Sequence, residues 1–259
     1  MRLKRTAFKG RSLLAGLALL VSVPPAAPPC AVRVSAMPTL NWSGYALAGS
    51  DFTGVTGTFN VPVPTGSASC VQQTAIWVGV DGLDNHDLLQ AGISESGFVL
   101  PASQSSPPWA GGSVVCTGRA EVYAWWEDLP SQLVRVGLPV KAGDKVSVSI
   151  FEMSPGWWAV AVHDLTADRA FFLSQPYAGP RASVEWVVEA PQVMGLVTDP
   201  VPFSTVSFSY LGAQGQAREL VRFSFGSKGN FAFSPSVVVN ITQLMQHGFQ
   251  VRSSGSAKL

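Results

Sequence analysis

The chain has 259 residues, of which 47% are hydrophobic and only 13% charged, against about 25% charged in an average globular protein. Its 25 Gly and 19 Pro are spread along the sequence rather than gathered in blocks, which excludes a coiled coil, a charged disordered chain and a collagen-like repeat. A formal net charge of +1 also argues against a nucleic-acid binder driven by electrostatics.

Residues 1–36 carry six basic groups (Arg2, Lys4, Arg5, Lys9, Arg11 and Arg33) and no acid, so the remainder is net −5. Residues 1–11 form a basic stretch and residues 12–23 an uncharged apolar run, followed by small residues and prolines. That order predicts a secretory signal peptide over residues 1–36. The run is too short to span a bilayer, for which about 20 apolar residues are needed. Cleavage after Ala31 or Ala36 fits the small-residue rule, and Ala36 is the favoured site. The exported part, residues 37–259, has no linker or internal repeat and is expected to be one domain, secreted and free of the membrane once the signal is removed. With Cys30 removed, Cys70 and Cys116 remain, and an even pair in an exported chain predicts one disulfide.

The body of the chain alternates between apolar and polar residues with turn residues between the runs. Strands are expected at residues 58–63, 75–80, 145–150, 157–164, 205–210 and 236–241, and residues 217–225 read less clearly, as a further strand. No segment after residue 40 has a long helical period. Short strands with regular turn signals predict an all-β, antiparallel β-sandwich or barrel.

Several chemistries are absent from the sequence. There is no Gly-x-Ser-x-Gly elbow and no His-Glu-x-x-His, and no Asp-Thr-Gly or Asp-Ser-Gly occurs. No Cys/His cluster suggests zinc, so no metal or cofactor is expected. Of the three histidines, His163 and His247 read as structural or surface residues.

Six segments occur in a telling order. They are Asn41-Trp42-Ser43-Gly44-Tyr45, Trp77-Val78-Gly79-Val80-Asp81-Gly82, Leu88-Leu89-Gln90-Ala91-Gly92-Ile93, Tyr123-Ala124-Trp125-Trp126-Glu127-Asp128-Leu129-Pro130, Lys141-Ala142-Gly143-Asp144 and Ser183-Val184-Glu185-Trp186-Val187-Val188-Glu189-Ala190-Pro191. In this order and spacing the chain resembles the glutamic peptidases, the eqolisin family, over residues 41–241. The resemblance implies a sandwich of the concanavalin A-like lectin and glucanase architecture. It implies an acid endopeptidase acting on polypeptides, with Gln90 and Glu189 as the catalytic dyad. It further implies that Trp42, Trp77, Asp81, Gly82, Trp125 and Glu127 line the substrate cleft. Tyr123, Leu129, Ala190 and Pro191 depart from the residues usual in fungal members, which bears on substrate preference. The enzyme is expected to act as a monomer.

Strand alternation is consistent with those roles. Glu185, Val187 and Glu189 share one face of a strand, as do Tyr123, Trp125, Glu127 and Leu129 on another. A carboxylate at Glu189 can take a proton from water and pass it to the leaving amine. The Gln90 amide can donate to the oxyanion and, unlike a titrating group, persists as a donor at acid pH. With an ordinary carboxyl value of ~4.3, Glu189 would still be partly ionised there. Two other readings remain open. One is a glycoside hydrolase on the same architecture, using Glu127 and Glu189 as its two carboxyls. The other is a carbohydrate- or protein-binding sandwich without activity.

Overall fold

The alternation seen in the sequence becomes burial on one side of each strand. In Lys145–Ser154, Val146, Val148 and Ile150 are buried while Lys145 and Phe151 face out. The computed structural model describes residues 32–99, 115–193, 195–228 and 231–253. Residues 1–31 of the expected signal and the tail after Ser253 lie outside the described residues.

In chain order the elements are β1 (Arg33–Thr39), β2 (Trp42–Asn60), β3 (Gln73–Val80), β4 (Leu88–Val99), β5 (Val115–Leu129), β6 (Val134–Arg135), β7 (Lys145–Ser154), β8 (Trp157–Asp164) and β9 (Arg169–Pro176). There follow β10 (Ser183–Glu189), β11 (Gln192–Val193), β12 (Leu196–Val197), β13 (Thr205–Lys228), β14 (Phe231–Pro235), α1 (Ile241–His247) and β15 (Phe249–Ser253).

Two long strands connect the layers of an antiparallel sandwich. The first half of β2 pairs with β10 and its second half with β7, while β13 runs antiparallel to both halves. One layer is therefore β13-β2-β10-β3-β4-β5-β6, and the other continues from the far halves of β13 and β2 into β7-β8-β9. The ladder shifts register at the corner, between Gln214 and Gln216 and again between Ala217 and Glu219. Two glycines make the close approach there possible. A Cβ on Gly49 would lie 1.9 Å from the Gln216 carbonyl oxygen, and Gly215, at φ +153°, lies against Phe52. Ile76, Val78, Leu89, Ile93 and Trp186 of the first layer pack with Val148, Ile150, Trp158 and Val160 of the second in one apolar core.

One sequence expectation changes and a less clear one holds. Residues 236–241 are not a strand. Tyr45 Oη donates to the Ser236 carbonyl and accepts from the Val238 N–H, so this segment's polar groups bond outside a ladder. Asn240 then caps α1, its side chain accepting from the Gln243 N–H. Residues 217–225 lie within β13 and are a strand.

Cys70 and Cys116 form the expected disulfide, with Cα atoms 4.9 Å apart and a sequence separation of 46. The starts of β3 and β5 are not neighbours, however, because β4 lies between them. The bond instead ties the loop before β3 to β5 beside Phe98 of β4. Closing that loop contributes about 4 kcal/mol in the chain-entropy description.

One carboxyl lies on the core side of β4, the side that carries Leu89, Ala91 and Ile93. Glu95 is fully buried, and among the described residues neither of its oxygens has a hydrogen-bond partner. Burial pushes its pKa up to about 8. In the unfolded chain it ionises near ~4.3. Stability from this group is therefore complete below that value and is lost as pH rises towards 8, by on the order of 5 kcal/mol. Thermal melts between pH 4 and pH 8 should show a falling midpoint in the wild type. Glu95→Gln, which cannot ionise, should flatten that slope.

The expected cleavage site at Ala36 falls inside β1. This strand pairs in parallel with β13 from Arg33 opposite Glu219 to Thr39 opposite Phe225. A cut after Ala36 would remove four of its seven residues, whereas a cut after Ala31 leaves the strand whole. Sequencing the N-terminus of the exported protein should therefore find Arg33 still present.

Candidate active site

The side of β3, β4, β5 and β10 that faces away from the main core carries its own apolar cluster. Ala75, Trp77, Leu88, Trp125 and Val187 are buried there together with Ala46 and Phe223, and Trp42 packs against them. The ladder sets the polar residues of this face in rows. Glu189 of β10 lies opposite Trp42 of β2 and Ala75 of β3. Val187, Trp77, Gly92 and Trp125 form the next row. Glu185, Gly79, Gln90 and Glu127 form the row after that. Gly79 keeps this last row open, because a Cβ there would lie 2.9 Å from Leu88 Cδ1 and 3.0 Å from Trp77 Cζ3.

Glu189 is held at both oxygens. Asn41 Nδ2 donates to Oε1 at 2.9 Å and Trp77 Nε1 to Oε2 at 2.8 Å. Burial nevertheless raises its pKa to about 7, opposed by the indole donors of Trp77 and Trp42 and assisted by the charge of Glu127. The apolar surroundings thus move it away from the ordinary carboxyl value, as burial of a Glu among Trp residues requires. Trp42 meets Trp77 edge-on at 5.0 Å and Phe223 at 5.7 Å, which fixes the indoles around the carboxyl.

Gln90 lies two strands and four residues from Glu189, about 16 Å between Cα positions on a flat sheet. Glu127 is one strand further away, and its charge still raises Glu189. Gln90 itself leans the other way, its Nε2 donating to Glu127 Oε2 at 2.7 Å. Its Oε1 is buried with no hydrogen-bond partner among the described residues. Glu127 is raised by burial and partly restored by hydrogen bonds from Gln90 and the Leu133 main chain.

The other residues picked out by sequence divide by burial. Trp42, Gly82 and Glu127 are partly exposed, whereas Trp77, Trp125 and Asp81 are buried. The Asp81 carboxylate accepts the Arg181 N–H at 2.8 Å, the Ala182 N–H at 2.7 Å and the Tyr177 hydroxyl at 2.8 Å. It clasps the approach to β10 against the end of β3, and Gly82, at φ +108°, continues that turn. Alternation places Glu185 on the face of Glu189 without revealing its burial. It is fully buried in the row of Gln90, and burial, assisted by the charge of Asp81 and opposed by Ser183, holds its pKa well above the ordinary value. Asn41, at the start of a quoted segment, was also passed over as a partner of Glu189. Among the described residues no cluster of His, Cys, Asp and Glu could hold a metal ion, and no helix is long and apolar enough to cross a membrane.

Comparison with known proteins places the fold and the family. Scytalidopepsin B of Scytalidium lignicola is 26% identical over 153 residues, covering 58% of this chain and 51% of that protein. The chain thus spans about half the length of this curated relative. A crystal structure of scytalido-glutamic peptidase with a transition state analog inhibitor superposes with a TM-score of 0.60 at 20% identity, covering 83% of this chain and 98% of that one. Aspergilloglutamic peptidase from Aspergillus niger superposes with a TM-score of 0.50 at 17% identity, covering 71% and 99%. These solved structures share the sandwich fold. The sequence profile of the Peptidase A4 family matches residues 40–242, and with the sandwich, the Trp-lined face and the Glu189 cradle in place, the chain belongs to that family.

Proposed function

We propose that this chain is a secreted endopeptidase of the glutamic type, which cuts polypeptides in the acid range with Glu189 and Gln90 as its catalytic pair. The observation that carries the reading is the cradle of Glu189. It is a carboxyl oriented by two fixed N–H donors in an apolar cluster, with a pKa raised to about 7. A base with a raised value takes a proton from water more readily once ionised, and holds it long enough to deliver it.

In the proposed reaction the Glu189 carboxylate draws a proton from a water molecule above Trp77. The oxygen attacks the scissile carbonyl, and the Glu189 proton then passes to the departing amine. Gln90, with its amide turned into the cleft, donates an N–H to the oxyanion. Trp42 and Glu127, partly exposed at the two sides of the face, are proposed to contact the peptide. Trp77 and Trp125 support from beneath, and Asp81 and Gly82 shape the turn that sets β3 against β10.

Glu189→Gln should abolish cleavage of casein while its thermal melt stays cooperative. Gln90→Ala should lower kcat by ~10²-fold or more, as loss of an oxyanion donor does. Because the base must be ionised, the acid limb of kcat/KM should lie above the ordinary carboxyl value of ~4.3. Digests of casein and of a β-glucan across the pH range, with products read by mass spectrometry and reducing-end assay, check all of this. Glucan cleavage without casein cleavage would instead favour a glycosidase built on Glu127 and Glu189.

A further inference from the structure

The Gln90 carboxamide is turned the wrong way for the role just given to it. Its NH2 is spent on Glu127 at 2.7 Å, and its oxygen, which wants a donor, has none among the described residues. An ionised carboxylate can only accept hydrogen bonds, so it fixes this orientation. A protonated carboxyl is also a donor, and could satisfy the orphaned oxygen.

We propose that Glu127 is a positioning residue that sets which end of the Gln90 carboxamide faces the cleft. Ionised, it holds the NH2 group; protonated, it donates to the amide oxygen and turns the NH2 group towards the substrate carbonyl. The inference rests on the reading of Gln90 as oxyanion donor. It makes the competent state one in which Glu189 is ionised and Glu127 is not.

The surroundings favour a protonated Glu127. Glu127 is partly desolvated and no cation is paired with it among the described residues. From β6, Arg135 bonds to Glu121 at 3.1 Å and lies over the Tyr123 ring at 3.9 Å. From β4, Gln90 faces it; from β10, Glu189 faces it as a like charge, with the buried Glu185 beyond Gly79 in the same row. Two carboxyls that repel across the cleft lose their protons as a pair, in two steps. Between those steps one of them carries the charge.

Glu127→Gln tests the idea. The Leu133 main-chain donor, which now holds the carboxyl, would take the new carboxamide oxygen and leave its NH2 group pointing at Gln90 Oε1. That copies the protonated state at every pH. We expect the alkaline limb of kcat to move upward, so that the ratio of kcat at pH 8 to kcat at the optimum rises by about tenfold or more. A wild-type alkaline limb in Glu127→Gln, with Gln90→Ala and Glu189→Gln both impaired, overturns this inference alone. Wild-type rates in Gln90→Ala or Glu189→Gln overturn the site reading beneath it. A second measurement needs no change at position 127. In the 15N-labelled wild-type protein, the Gln90 side-chain NH2 signals, assigned by their loss in Gln90→Ala, should shift through the same pH range as the alkaline limb. Signals that stay constant across that limb also overturn it.

Discussion

The register of β10 between β2 and β3 governs the concave face. Glu189 sits opposite Trp42 on one side and Ala75 on the other, and the small Ala75 leaves room beside the carboxyl. A slip by one residue would turn Glu185 and Glu189 into the core and bring Val188 and Trp186 out. What pins the register is apolar: Val184, Trp186 and Val188 are fully buried on the core side of the strand. The Trp186 indole also donates to the Thr56 carbonyl at 2.8 Å, tying β10 to the middle of β2. The Trp-lined face that carries Glu189 therefore inherits its precision from the opposite side of the same strands.

The face also shares one electrostatic theme. Glu185 is fully buried and Glu127 and Glu189 partly so, and desolvation is the chief reason each has its proton affinity raised. Glu95 repeats the pattern inside the core. Lys and Arg do not compensate them: the ion pairs of the described residues involve Glu121, Glu152 and Asp168 instead. Carboxyls buried without cations are compatible with a folded protein only where most of them keep their protons. Acid conditions supply that, so the fold is favoured at a pH below the one at which Glu189 ionises.

The sandwich was legible in the sequence because period-two alternation is a local signal. The limits of β8 coincide with its Pro-Gly turn and its alternating run, and β7 follows just as directly. The two long strands were less legible, since only a corner built on Gly49 and Gly215 lets β2 and β13 serve both layers. Residues 236–241 misled because Val237, Val238 and Val239 look like a strand, while the Tyr45 hydroxyl that holds them comes from the other end of the chain. At the site, alternation put Glu189, Val187 and Glu185 on one face correctly. It could not reveal that Gln90 bonds to Glu127, because that depends on which residues of β4 and β5 stand opposite each other. Nor could it reveal the Asp81 clasp, whose donors lie a hundred residues further along.

The pairing of β1 with β13 sets an order of assembly. Arg33–Thr39 is the first strand to emerge from any export channel, yet its partner is Glu219–Phe225 near the other end of the chain. The ladder between β2 and β13 imposes the same wait on the first long strand. Contacts so far apart in sequence make for slow closure of the chain. A polypeptide threaded through a membrane from its N-terminus cannot finish this sandwich until nearly all of it has crossed. In a chain that crosses a membrane in that way, slow and late closure would keep the polypeptide translocatable and delay completion of the Trp-lined face until the chain stands on the far side.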